Sequence, residues 1–197
     1  MNGFGALIMP LYFAGFLATL AASLLLYLAA VATVAIRRCP LPTLMREGVA
    51  NHLQAAGVAL LWFEVGVAWL LFFNVYRIHV DMNALGNEAL QAFNSGYTRR
   101  LPIVVLPYGL TCLIWTLALW SMPGRLSRRA VWAIATLCIV SILTTPFAAG
   151  ALGDMHEHGF TDGAYRELQV AHLARTVALT LAATWAIVQG WRLPKVY

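Results

Sequence analysis

Residues 49–75 read VANHLQAAGVALLWFEVGVAWLLFFNV and carry one charged side chain, Glu64. A helix needs about 20 mostly apolar residues to cross a bilayer core of roughly 30 Å, so this segment reads as a membrane-spanning helix. Four further runs meet the same test: residues 10–36, 101–122, 130–152 and 168–191. The first helix is expected to open near Pro10, because proline suits a first helical turn. The third is closed by Pro123-Gly124. No strand-like alternation competes with these runs, and no repeat or low-complexity linker divides them. The fold class expected is all-α: one integral membrane helical bundle of five transmembrane helices.

Composition points the same way. Of 197 residues, 61% are hydrophobic and 11% charged, where a soluble domain carries about 25% charged residues. That excludes an ordinary cytosolic enzyme, a disordered chain and a nucleic-acid module. The net charge of +5 is spread as short basic clusters between apolar runs, so no nucleic-acid partner is expected. Cys39, Cys112 and Cys138 give no disulfide framework. The first run lacks a basic leader and far exceeds the apolar core of a cleaved signal peptide, so it is expected to stay as a helix.

Arginine and lysine placement sets orientation. One side carries Arg37, Arg38, Arg46, Arg125, Arg128, Arg129, Arg192 and Lys195; the other carries Arg77, Arg99, Arg100 and Arg166. Eight against four predicts an N-terminus outside and a C-terminus in the cytoplasm of a bacterial inner membrane, although Arg99-Arg100 runs against it. Trp120, Trp132 and Trp191 fall near the proposed inner boundary, as an aromatic belt would.

Glu64 is the most informative residue. An acid facing lipid near the middle of a span costs several kcal/mol, so it should face the bundle and be protonated or paired. Arg175 in the fifth run is the natural partner: at 1.5 Å per residue the two lie about 4 Å apart in depth. The alternatives are an active or binding site around a buried charge pair, and a structural lock between two helices. His172, Thr176, Thr180 and Thr184 follow one another at i, i+4 beside Arg175, which places them on one helix face. They are either packing glue or the wall of a polar pocket. Small residues Ala55, Ala59, Gly66 and Ala68 are expected to allow close helix contact.

The fourth loop, read as residues 153–162, holds Asp154, Met155, His156, Glu157 and His158, with His79 and Asp81 on the same side. Imidazole suits zinc, copper or nickel, which makes Asp154, His156, His158 and His79 weak metal candidates; no H-E-x-x-H spacing supports them. His52 and His172 are weaker candidates still as haem or chlorin ligands. No cofactor is firmly implied. A phosphate-cradling glycine loop, a Ser-His-Asp constellation and a C-x-x-C motif are all missing.

Two stretches carry a resemblance. Gly159-Phe160, Ala164-Tyr165-Arg166, Leu168, His172, Arg175-Thr176-Val177-Ala178 and Thr180 resemble the closing motif of small bacterial membrane proteins related to the anthrone-oxygenase-like family. Gly86, Ala89-Leu90, Phe93-Asn94, Tyr97-Thr98-Arg99-Arg100, Val104-Val105 and Pro107 resemble the same proteins' entry into a following helix. With Gly66 and Trp69, the resemblance covers residues 66–185. It departs from the family pattern at His172, where Asn is typical, at Leu173, where an aromatic is usual, at Phe72 and Val75, where Gln and His are expected, and at Tyr97, a typical His. The resemblance implies a four-helix core preceded here by one extra helix, with Arg175 and Thr176 as motif residues. Some members are implicated in cofactor-independent oxygenation of polycyclic anthrones.

Three functions follow as expectations. The first is an accessory subunit packing onto partner subunits of a larger energy-transducing or transport complex. The second is an anthrone-oxygenase-like enzyme that takes a lipophilic aromatic or quinone-like small molecule from the membrane lipids. There Arg175 would stabilise an oxyanion, His172 would act as base, and Glu64 would be a third candidate catalytic residue. The third is a binding protein for a metal, haem, pigment or quinone.

Overall fold

A computed structural model describes residues 3–38, 41–121 and 126–190. Cys39, Pro123, Gly124, Arg125, Trp191, Arg192 and Lys195 lie outside the described residues. The elements are α1 (Gly3–Arg37), α2 (Glu47–Leu70), a π-helical turn (Leu71–Val75), α3 (Tyr76–Ala84), α4 (Asn87–Ala118), α5 (Arg128–Leu143), α6 (Thr145–His158) and α7 (Asp162–Gly190). No strand occurs among the described residues. Five helical runs are long and apolar enough to cross a membrane: 10–36, 47–84, 87–118, 128–158 and 162–190.

The runs are therefore those read from the sequence, but four of them are longer, and the first helix opens at Gly3 with Pro10 inside it rather than at its first turn. The second continues to Ala84, the third begins at Asn87, the fourth continues to His158 and the fifth begins at Asp162. Segments expected as loops are helical. Their polar residues had argued for loops, yet α3 and the first turns of α4 are amphipathic and bury Tyr76, His79, Leu90 and Asn94. The connections left at this end are short turns at Gly86 (φ 112°) and Gly159 (φ 86°), where glycine escapes the steric penalty of positive φ. The two turns touch: a Cβ on Gly159 would lie 3.0 Å from Asn87 Oδ1.

Helices α2, α4, α5 and α7 enclose the main core, around Leu61, Trp115, Ile134, Ala135, Cys138 and Leu179. Alanines 178, 182, 183 and 186 line the buried face of α7, and small side chains let helices approach closely. The closest approach of α2 is made by Gly57, where a Cβ would stand 2.9 Å from Ile114 and 3.1 Å from Trp115. Of the expected contact residues, Ala68 is buried while Ala55, Ala59 and Gly66 are exposed. The buried face of α2 runs through Ala50, Gln54, Gly57, Leu61 and Val65, a quarter turn or more away from theirs.

Helix α1 packs chiefly on α4 and is the least buried of the five runs. Gly109 of α4 makes this contact possible, because a Cβ there would overlap Thr19 Oγ1. A four-helix core with α1 laid against its side is the arrangement.

Two local irregularities shape the interior. Ala68 and Tyr76 are eight residues apart but both face the bundle. Two α-helical turns hold about 7.2 residues, and the wide turn at Leu71–Val75 takes up the surplus. The second irregularity separates α5 from α6 at Thr144. Pro146 has no N–H to give the Ile142 carbonyl, and its ring crowds that carbonyl. The break leaves two adjacent hydroxyls, Thr144 and Thr145, at a helix junction inside the bundle.

Candidate functional site

Glu64 lies on the buried face of α2, 3% exposed, so the expectation that it faces the bundle holds. It lines a cavity of about 30 Å³ together with Tyr108, His172 and Arg175. The half-buried Val67 of α2, Leu71 of the π-helical turn, and Val104 and Val105 of α4 complete an apolar rim. Such a volume holds one water or one functional group, not a ring system.

Glu64 and Arg175 share this cavity without pairing directly. The His158–Asp154 ion-pair contact lies elsewhere, near the end of α6. The Arg175 guanidinium is held elsewhere. Nε donates to Thr144 Oγ1 at 3.3 Å and Nη2 to Thr145 Oγ1 at 3.1 Å, the two hydroxyls left at the Pro146 break. Its carbon sits 5.3 Å from the centroid of the Tyr108 ring, within cation–π range. Tyr108 is itself fixed. Ser141 Oγ donates to Cys138 O at 2.7 Å, so the 2.9 Å contact has the Tyr108 hydroxyl donating to Ser141 Oγ. Meanwhile Glu64 Oε1 is buried with no hydrogen-bond partner.

His172 is fully committed. A carbonyl can only accept, so its Nε2–H donates to Ala68 O at 2.9 Å. In the neutral ring that leaves Nδ1 as acceptor for the Tyr76 hydroxyl, at 3.2 Å. Both nitrogens being occupied, His172 is a positioning residue that ties α7 to α2 and α3. The general-base role expected of it does not match this bonding.

The ladder below it is mainly packing. Thr176 Oγ1 donates to His172 O and Thr180 Oγ1 to Thr176 O. Trp69 Nε1 donates to Thr180 Oγ1 at 3.2 Å. Thr184 is exposed and falls off the buried face.

Beyond Tyr76 the polar interior continues between α3 and α4. His79 is wholly buried and Asn94 is 2% exposed. The rings of His79, Phe93, Tyr97 and Tyr76 pack edge to face around them, with centroids 4.9–6.5 Å apart. Both His79 nitrogens, both Asn94 amide atoms and the Tyr97 hydroxyl lack hydrogen-bond partners. Buried polar groups are ordinarily paired, and these sit close enough together for His79 to reach Asn94 and Tyr97 to reach Tyr76.

The metal grouping expected of Asp154, His156, His158 and His79 does not form. Those first three lie on helix α6 rather than in a loop, and His158 Nδ1 bonds Asp154 Oδ1 at 2.9 Å within one turn. His79 is enclosed by aromatic rings instead. Among the described residues no group of three or more His, Cys, Asp or Glu is placed to share an ion. His52 is exposed near the opposite end, donating from Nδ1 to Gly48 O, and is not brought together with His172.

Sequence reasoning missed Tyr76, Tyr108, Thr144 and Thr145. Only Pro146, behind two threonines inside an apolar run, could have signalled the last two. No protein-family model, curated protein or solved structure matches the chain.

Proposed function

We propose that this chain is a multi-pass protein of the bacterial inner membrane that binds a lipophilic hydroxy-aromatic compound, of the anthrone or hydroquinone class, at Glu64 and Arg175. One observation carries the reading: a buried carboxyl and a guanidinium line one cavity, unpaired with each other, behind an apolar rim. A phenolic or enolic hydroxyl answers both groups. Its hydrogen is donated to Glu64 and its oxygen accepts from Arg175, while the rings rest against Val67, Leu71, Val104 and Val105. Transfer of the proton to the Glu64 carboxylate would leave an oxyanion beside a fixed cation in a water-poor site, where such stabilisation is strongest. Only the oxygen-bearing edge enters the cavity, so ring binding requires α2 and α4 to part at the rim. The resemblance to anthrone-oxygenase-like proteins supports the same ligand class.

The charge distribution favours an orientation with the C-terminus cytoplasmic, and Glu64 and Arg175 lie near the middle of their helical runs, 47–84 and 162–190. Purified protein titrated with anthrone tests the reading. Saturable binding is expected, weakened about tenfold or more by Arg175→Met, since a hydrogen bond to a charged group is worth about 1.5–3 kcal/mol. Non-saturable uptake equal in both proteins contradicts it.

A second reading draws on α1, whose exposed face carries Leu11, Leu17, Leu25 and Leu28. That face would dock partner subunits of a larger energy-transducing or transport complex. Co-purification from native membranes tests it; a chain that runs alone in mild detergent contradicts it.

A further inference from the structure

About ten residues before Glu64 on α2, a groove of about 540 Å³ runs between the first turns of α2 and the last turns of α7. That is the size of a small-molecule site. Its walls are apolar, from Ala55, Val58, Ala186 and Ile187. Its polar side chains are two neutral amides one turn apart on α2, Asn51 and Gln54, and the exposed imidazole of His52. Gln54 is 5% exposed, and its Oε1 accepts from the Leu126 backbone N–H at 3.3 Å. That bond fixes which way the amide points, and Nε2 is left buried with no partner. Asn51 Oδ1 is likewise buried and unpartnered. Beside His52, the groove therefore offers one donor and one acceptor side by side, with no Asp, Glu, Lys or Arg among its described lining residues.

We propose that this groove is a second binding site, separate from the Glu64–Arg175 cavity, for a neutral lipophilic carboxamide. The ligand's C=O accepts from Gln54 Nε2, its N–H donates to Asn51 Oδ1, and its alkyl or aromatic body lies along Val58 and Ile187. A phosphate or carboxylate fits less well, because it would satisfy Gln54 while turning a second set of lone pairs toward Asn51 Oδ1. An ester or tertiary amide satisfies only one of the two groups. Leaving the other buried and unpaired costs about 1–3 kcal/mol, which corresponds to about 5- to 150-fold in affinity.

The test uses the full chain in detergent with three probes: dodecanamide, N,N-dimethyldodecanamide and methyl dodecanoate. Binding is read by native mass spectrometry and by the rise in melting temperature. Dodecanamide is expected to bind saturably with one site, at least about fivefold tighter than the other two. Gln54→Leu removes this preference. Ile187→Trp, a change on the exposed wall that leaves both amides in place, blocks all three probes, so the test stands even where the Gln54 variant fails to fold. Glu64→Leu leaves dodecanamide binding unchanged, which separates this site from the one above. Equal binding of the three probes, or a preference that survives Gln54→Leu, overturns the proposal and leaves the groove as a hydrated seam.

Discussion

Glu64 and Arg175 line one cavity, yet the arginine spends its hydrogen bonds on Thr144 and Thr145 rather than on the acid. A structural lock would close that gap. Here the carboxyl keeps an unpartnered oxygen in the interior, an arrangement that costs stability and leaves a ligand something to satisfy.

Glu64→Leu should therefore separate stability from binding. Replacing a buried carboxyl that keeps an unpartnered oxygen by an apolar side chain of similar size is neutral or stabilising, by up to about 1–3 kcal/mol. The melting temperature in detergent is expected to hold or rise while anthrone binding is lost. A clear fall in melting temperature with binding intact would show that Glu64 serves the fold.

His172→Phe should act in the opposite sense. It deletes the bonds to Ala68 O and Tyr76, and leaving buried partners unsatisfied costs about 1–3 kcal/mol each. Thermal unfolding is expected at lower temperature. Tyr76→Phe, which removes one of the two bonds, should fall between the variant and the parent chain. A His172→Phe protein as stable as the parent would contradict the positioning role.

Pro146→Ala tests the helix break. Alanine restores the missing N–H and removes the ring, so α5 and α6 can join and carry Thr144 and Thr145 away from Arg175. Stability should hold or improve, because alanine is about 3 kcal/mol better than proline within a helix. Anthrone binding should weaken. Unchanged binding in a stabilised protein would show that the break does not position the guanidinium.

Gly109→Ala addresses α1. The added methyl overlaps Thr19, and overpacking of this kind costs about 1–3 kcal/mol. Cross-linking between cysteines introduced at Phe16 and Tyr108, whose rings lie 6.4 Å apart, should fall while the four-helix core keeps its helicity. Undiminished cross-linking would contradict a contact that depends on glycine.

The five helical runs were legible because apolar length alone identifies a span. Their ends were not: residues 76–100 look like a polar loop until α3 and α4 are seen to bury His79, Asn94 and Tyr97 against each other. Glu64 and Arg175 were legible because charge is so scarce in this chain. The gap between them was not, since it depends on Thr144 and Thr145, whose placement follows from a helix break and not from spacing. Tyr108 was hidden for the same reason: one tyrosine in an apolar run carries no mark of the arginine above its ring. His172 was legible as an interior polar residue, but its bonds to Ala68 and Tyr76 were not, because partners on α2 and α3 cannot be seen from its own helix.

A double-mutant cycle on anthrone affinity tests the central claim most directly. The parent chain, Glu64→Leu, Arg175→Met and the double variant are compared by equilibrium binding. If both groups hold one ligand oxygen, the second substitution costs little once the first is made, with a coupling of about 0.5–3 kcal/mol between them. Losses that add independently, or binding that neither substitution alters, would contradict a shared site.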